Sequence, residues 1–152
     1  MSAPQAPDPG DRRAAATLMD LTLSALEREA PDSWDTIGAC LRGRSVVLAL
    51  EGWDRFVLTT ARGRPVVEAV EVGPAAAVRV DRVALEALAG GRASMLDLVT
   101  DGHASMSGPS AELAQLSELP AALIEGIMRS PAAQELWDRF LQDTGVNSSG
   151  PT

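Results

Sequence analysis

The chain has 152 residues, 45% hydrophobic and 22% charged, the make-up of one globular domain able to bury about 70% of its unfolded surface. Its net charge is −8, all 13 basic residues are arginine, and tyrosine is absent, which argues against nucleic-acid partners and excludes Schiff-base or P-loop lysine chemistry. A single cysteine, Cys40, and a single histidine, His103, leave no intrachain disulfide, no cysteine-based metal cluster and no site needing two imidazoles.

Residues 1–10 read as a disordered tail dominated by Pro, Gly and Asp, without the apolar run of a signal peptide. Asp11 caps a helix running to about Glu29, with Ala15, Leu18, Met19, Ala25 and Leu26 in a stripe and Thr22 filling its gap. Leu21 and Leu23 fall off that stripe. After Pro31 comes a short helix capped by Asp32 or Ser33, with Trp34, Ile37, Cys40 and Leu41 at three- and four-residue intervals and Gly43 at its end. The period then changes to two. Strands are expected over Ser45–Glu51, Asp54–Ala61, Pro65–Val72 and Ala75–Val80, with Phe56 and Leu58 on one face and Val57 and Thr59 on the other. Their short connections predict an antiparallel meander.

Helical spacing returns after Asp81, which caps a helix carrying Val83, Leu85 and Leu88 and closed by Gly90-Gly91. Ser94 caps a shorter helix with Met95, Leu98 and Val99. A fifth strand spans Gly102–Gly108, and a polar-faced helix spans Pro109–Leu119. Pro120 stands at N1 of the next helix, with Leu123, Ile124, Ile127 and Met128. Ser130-Pro131 is a cap-plus-N1 signal for the last, lined by Leu136, Trp137, Phe140 and Leu141 and stopped by Gly145. The expected organisation is a tail (1–10), one domain (11–144) and a second tail (145–152). No stretch is long enough to span a bilayer, so integral membrane association is not expected, and the cytoplasm is the expected location. The bias towards Ala, Gly, Arg and Pro resembles a high-GC bacterial genome.

The informative segment is 75–119: Ala77-Val78-Arg79-Val80-Asp81, then Leu85, Leu88 and Gly90, then Met95, Leu98 and Asp101-Gly102, then Ala104, Met106 and Gly108, then Leu113 and Leu116. This order of strand, helix ending in Gly, short helix and Gly-bounded strand resembles the second half of the sterol carrier protein 2 domain family, and residues 20–120 follow its pattern. The chain departs from it at Ala104, where a larger aliphatic is usual, and in its last two helices, 120–144, which are additional. The resemblance implies an α+β fold in which a five-stranded, mainly antiparallel sheet is covered by helices, with two extra C-terminal helices. It also implies an internal cavity for an apolar lipid, sterol, fatty acyl or polyketide-like molecule, and calls for neither metal nor cofactor.

On that reading the ligand-facing set comprises Phe56 and Leu58 from the second strand, Met95, Leu98 and Val99 from the short helix, and Met106 from the fifth strand. Leu116, Ile124, Met128, Trp137 and Phe140 complete it from the later helices. The methionines are chosen because their flexible thioethers suit a loosely specific pocket, although a methionine on an apolar face is usually plain core. Trp137 and Phe140 are read either as a lid over the pocket mouth or as part of a packing helix, or of a homodimer contact through exposed Leu136 and Leu141.

Candidates for acid–base work are few. His103 is expected to point outward with Ser105 and Ser107, opposite Ala104 and Met106. Asp97 is four residues from Asp101, a spacing commonest for surface charges. Glu68 reaches inward only if it shares the face of Val66 and Val70, with Glu71 on the other face. Cys40 reads as an inert buried thiol. No Gly-x-Ser-x-Gly elbow supports a hydrolase. The sequence therefore favours a carrier over a small isomerase or cyclase acting on an apolar natural-product intermediate, with a dimerising interaction module as the third reading.

Overall fold

The computed structural model describes residues 14–51, 53, 55–69, 76–89 and 95–142. The two expected tails fall outside these, as do the expected cap Asp11, the Val70–Pro74 stretch with Glu71, the Gly90-Gly91 stop, the cap Ser94 and the stop Gly145. The elements are α1 (Ala14–Glu29), α2 (Pro31–Leu41), β1 (Val46–Leu50), β2 (Arg55–Ala61), β3 (Arg64–Ala69) and β4 (Ala76–Val80). They continue with α3 (Arg82–Ala89), α4 (Met95–Thr100), β5 (Ala104–Ser107), α5 (Ser110–Leu116), α6 (Leu119–Arg129) and α7 (Pro131–Leu141). No helix among the described residues is long and apolar enough to cross a membrane.

The five strands form one sheet in the order β3-β2-β1-β4-β5. Three pairings are antiparallel, but β4 runs parallel to β1, with Leu48 opposite Val78 and Leu50 opposite Val80. This corrects the expected meander, which would have left β1 on an edge. Val46-Val47-Leu48-Ala49-Leu50 has no polar side chain with which to blunt an edge, and takes the centre of the sheet instead. The edges go to β3, with Arg64, Pro65 and Glu68, and to β5, with Ser105 and Ser107.

The register places Val46, Leu48, Leu50, Phe56, Leu58, Val67, Ala76, Val78, Val80, Ala104 and Met106 on one face, which joins the helices in the core. Arg55, Val57, Glu68, Arg79, Ser105 and Ser107 take the other face. The α1 stripe is buried as expected, and Leu23 joins it, so the buried face of this helix is broad. The cap of α2 is Ala30 with Pro31 beside it; Asp32 and Ser33 lie inside the helix, because Pro31 fits the first turn and moves the boundary back. Val83 is 53% exposed, a departure from the expected α3 stripe.

Two polar devices tie distant elements. Ser130 Oγ accepts from Ala133 N–H at 3.1 Å, the expected cap of α7. The same hydroxyl donates to Glu29 Oε1 at 2.7 Å, and that oxygen also accepts from Ala132 N–H at 3.1 Å, so the end of α1 is fastened to the start of α7. These bonds hold the Glu29 carboxyl below the usual carboxylate range, the Ser130 bond foremost. Stability from such a group is present above its unfolded value, near 4.5, and is lost as pH falls through the folded value. Glu29→Gln is expected to lower the melting temperature at neutral pH and to converge on the wild type as pH falls below the range in which the folded carboxyl takes up its proton, measured by thermal denaturation across pH.

Close packing fixes α6. A methyl group at Gly126 would stand 2.8 Å from Leu26 Cδ1 and 3.0 Å from Ser33 Cβ, so only glycine lets α6 lie this near α1 and α2. At Gly38, inside α2, the nearest atom is 3.8 Å away. Gly126→Ala is expected to destabilise the fold by about 1–3 kcal/mol. Gly38→Ala is expected to be neutral or to stabilise by up to about 1 kcal/mol, because it improves helix propensity without a clash. Chemical denaturation of both variants checks the contrast.

Candidate functional site

Between the inner face of the sheet and α6 lies a hollow of about 100 Å³, open on one side. β1 contributes Leu48 and Leu50 and β4 contributes Val78 and Val80, alternate residues of two neighbouring parallel strands. α6 faces them with Leu119, Pro120, Leu123, Ile124 and Ile127, at helical spacing. Met19 of α1, Leu85 of α3 and Trp137 of α7 close the sides. α6 packs on α1, α2, α3 and α7, and no strand is among its main neighbours. Its stripe is thus left facing the sheet across a gap. Ile124 and Ile127 are half-buried and the rest of the lining is buried, so the open side runs along α6.

Every lining residue is apolar. The one N–H in the wall, on the Trp137 indole, is spent: Nε1 donates to Thr22 Oγ1 at 3.0 Å, and that hydroxyl donates to Leu18 O at 2.7 Å. Thr22, the gap in the α1 stripe, is fully buried for this purpose. Phe140 meets Trp137 edge-on with ring centroids 6.5 Å apart, and packs against Trp53 in a tilted pair at 4.9 Å.

Of the expected ligand-facing residues, Ile124 and Trp137 line the hollow. Phe56, Leu58, Leu98, Leu116 and Phe140 are buried in the core, and Met106 is half-buried against it, but none of them lines the hollow. Val99, 43% exposed on α4, and Met128, 45% exposed on α6, face solvent. Met95 opens α4, and its side chain lies outside the description. Leu136 and Leu141, expected as exposed dimer contacts, are buried within the monomer. The lining residues that sequence reasoning missed were marked by two signals: the inward alternation of the most apolar strands, at 48, 50, 78 and 80, and the full α6 stripe at 119, 120, 123 and 127.

The titratable candidates stand elsewhere. Glu68 pairs with Val57 on the far face of the sheet and is exposed; its parity matches Val57, which turns it away from the helices. Asp97 and Asp101 are exposed. His103 is a half-buried residue immediately before β5, and its Nδ1 lies 2.7 Å from Asp81 Oδ2. Asp81 Oδ1 accepts from Ala84 N–H at 2.9 Å, the expected cap of α3. Burial works to raise the Asp81 carboxyl, but the His103 and Ala84 hydrogen bonds and the charges of His103 and Arg79 outweigh it and hold it low. Cys40 is buried, and burial, with the Glu118 charge, pushes its thiol up, as suits an unreactive side chain. Among the described residues no three of His, Cys, Asp and Glu gather as metal ligands.

No family model matches the sequence, and no curated protein matches it. Solved structures do. The UbiJ-SCP2 ubiquinone synthesis protein superposes with a TM-score of 0.51 at 17% identity, over 73% of this chain and 91% of that one. A conserved hypothetical protein from Thermus thermophilus gives 0.52 at 15% identity, over 89% and 92%. The sterol carrier protein domain 2 of Helicoverpa armigera gives 0.51 at 12%, over 82% and 96%. At these identities the likeness is one of fold.

Trp137→Phe removes the indole donor and part of the wall. It is expected to cost about 1–3 kcal/mol, read by chemical denaturation, with the secondary structure retained.

Proposed function

We propose that this chain, whose fold is that of the sterol carrier domains, holds an apolar small molecule in the hollow between its sheet and α6, as a cytoplasmic carrier or binding protein. The observation that carries the proposal is the composition of the wall: its side chains are apolar throughout, and their one N–H already has a partner. Such a wall gives up about 25 cal/mol for each Å² of hydrocarbon that covers it and offers nothing to a buried polar group. Lipids, sterols, fatty acyl chains and polyketide-like molecules are the classes that suit it. Two structural neighbours, named for ubiquinone synthesis and for sterol carriage, favour the same reading. An isomerase or cyclase would use the same hollow, but it needs a group to move a proton, and Glu68, Asp97 and His103 do not line it.

Native mass spectrometry of the protein purified from its own cells is expected to show a mass surplus lost on organic extraction, and the stripped protein is expected to take up Nile red. Leu48→Phe fills the hollow and is expected to lower Nile red affinity about 10-fold or more while the fold is kept. Absence of both the surplus and the uptake overturns the proposal.

A further inference from the structure

A second cavity, an open groove of about 290 Å³, lies between α2 and the turn that joins β2 to β3. It shares no lining residue with the hollow. α2 contributes Asp35, Gly38 and Ala39, and Arg42 follows just after the helix; steps of three, four and seven residues set them along one side. Thr60, Gly63 and Pro65 face them. That wall is a tight one, since Ala61 pairs with Arg64 across a two-residue turn in which Gly63 has φ 77°.

The charges around the groove divide into engaged and free. Arg64 is held by the Glu27 carboxylate at 2.6 Å and by the face of Trp34, 5.5 Å from the ring centroid. Arg44 donates to Arg42 O at 3.1 Å. Asp35 and Arg42 are exposed, and neither has an ion-pair partner among the described residues. Their Cα atoms stand about 10 Å apart along the helix axis, one at each end of the groove's α2 side.

An acid early in a helix and a base at its end suit the helix dipole. That accounts for the charges but not for the floor between them. Glycine inside a helix costs stability relative to alanine, and Gly126 bears that cost because a methyl group there would clash. Gly38 has no such reason. A methyl group there would meet nothing nearer than Pro65 Cδ at 3.8 Å and Gly63 O at 3.9 Å. Both atoms belong to the facing wall, so the methyl group would stand in the groove.

We propose that this groove is a binding site for a zwitterion about 10 Å long, a short peptide with free termini, whose ammonium group meets Asp35 and whose carboxylate meets Arg42. Three extended residues cover that span at about 3.3–3.6 Å each. Gly38 and Ala39 leave space for the peptide backbone, and the Thr60 hydroxyl and the Gly63 main chain offer its amides partners. The reversed orientation brings like charges together at both ends. The site is separate from the hollow and stands whether or not the hollow holds a guest.

Triglycine, N-acetyl-triglycine and triglycine amide test this, titrated into the full chain and followed by amide NMR shifts at about 0.15 M salt, which screens the overall charge. Triglycine is expected to shift the amides of α2 and of the β2–β3 turn, and to bind about 3- to 5-fold more tightly than either capped form. Asp35→Asn is expected to erase the margin over the acetylated peptide and keep the margin over the amide. Arg42→Gln is expected to do the converse. Both side chains are exposed, so both variants are expected to fold, which circular dichroism checks. Gly38→Ala is expected to weaken triglycine binding about 3-fold or more while the melting temperature holds or rises, a split that a purely structural glycine does not give. Equal binding of the three peptides, no binding of triglycine, shifts confined to other elements, or a charge variant that erases both margins overturns the assignment.

Discussion

The separation between the sheet and α6 is the constraint on which the rest of the molecule turns. α6 cannot approach the sheet and also keep its contacts with α1 and α2. Gly126 seats it against Leu26 and Ser33 with no space for a methyl group, while Ala122 buries its side chain on the same side. Once that side is fixed, the opposite stripe meets Leu48, Leu50, Val78 and Val80 across a gap rather than in contact. A protein interior is normally packed to crystal-like density, and an unfilled gap forfeits dispersion contacts on both of its walls. The chain could have closed the gap with larger side chains on β4. Val78 and Val80, with Ala76 and Ala84 near them in the core, do the reverse.

The polar groups that might have entered the hollow have been assigned elsewhere. Thr22 lies on the buried side of α1 and would be costly without partners. It takes the Trp137 N–H and gives its own proton back to Leu18, so two polar atoms are satisfied behind the wall. Glu29 and Ser130 fasten the far ends of α1 and α7, which supply the side walls with Met19 and Trp137. The wall of the hollow is thus apolar because the hydrogen bonds that shape it lie behind it.

Much of this was legible in the sequence, and the misses share a cause. Strand alternation put Phe56 and Leu58 on the helix-covered face, and Ser130-Pro131 and Asp81 marked the starts of α7 and α3 correctly. The parallel pairing of β1 with β4 was missed because short connections were taken to fix the neighbours. The unbroken apolar run of β1 was the better guide, since such a strand belongs between two others. Within the site, Met128 and Val99 were selected by residue type rather than by face. On the six-residue α4, an apolar stripe is too short to define a face, and Leu98 takes the core position while Val99 takes solvent. Which helix stands off the sheet depends on a contact between Gly126 and Leu26, a hundred residues apart, and no local pattern announces it.

The placement of the charged groups bears on what a hollow like this can do. Proton transfer needs a side chain within about 3 Å of the reacting atom, or one water further. The one His–carboxylate pair among the described residues, Asp81 with His103, lies just beyond the ends of β4 and β5, and neither residue lines the hollow. Its carboxylate is already committed to the N-terminus of α3 and to the imidazole. That carboxylate caps the helix that carries Leu85 and leaves the wall of the hollow to hydrocarbon and thioether groups. Selectivity in such a site comes from the shape of its apolar wall.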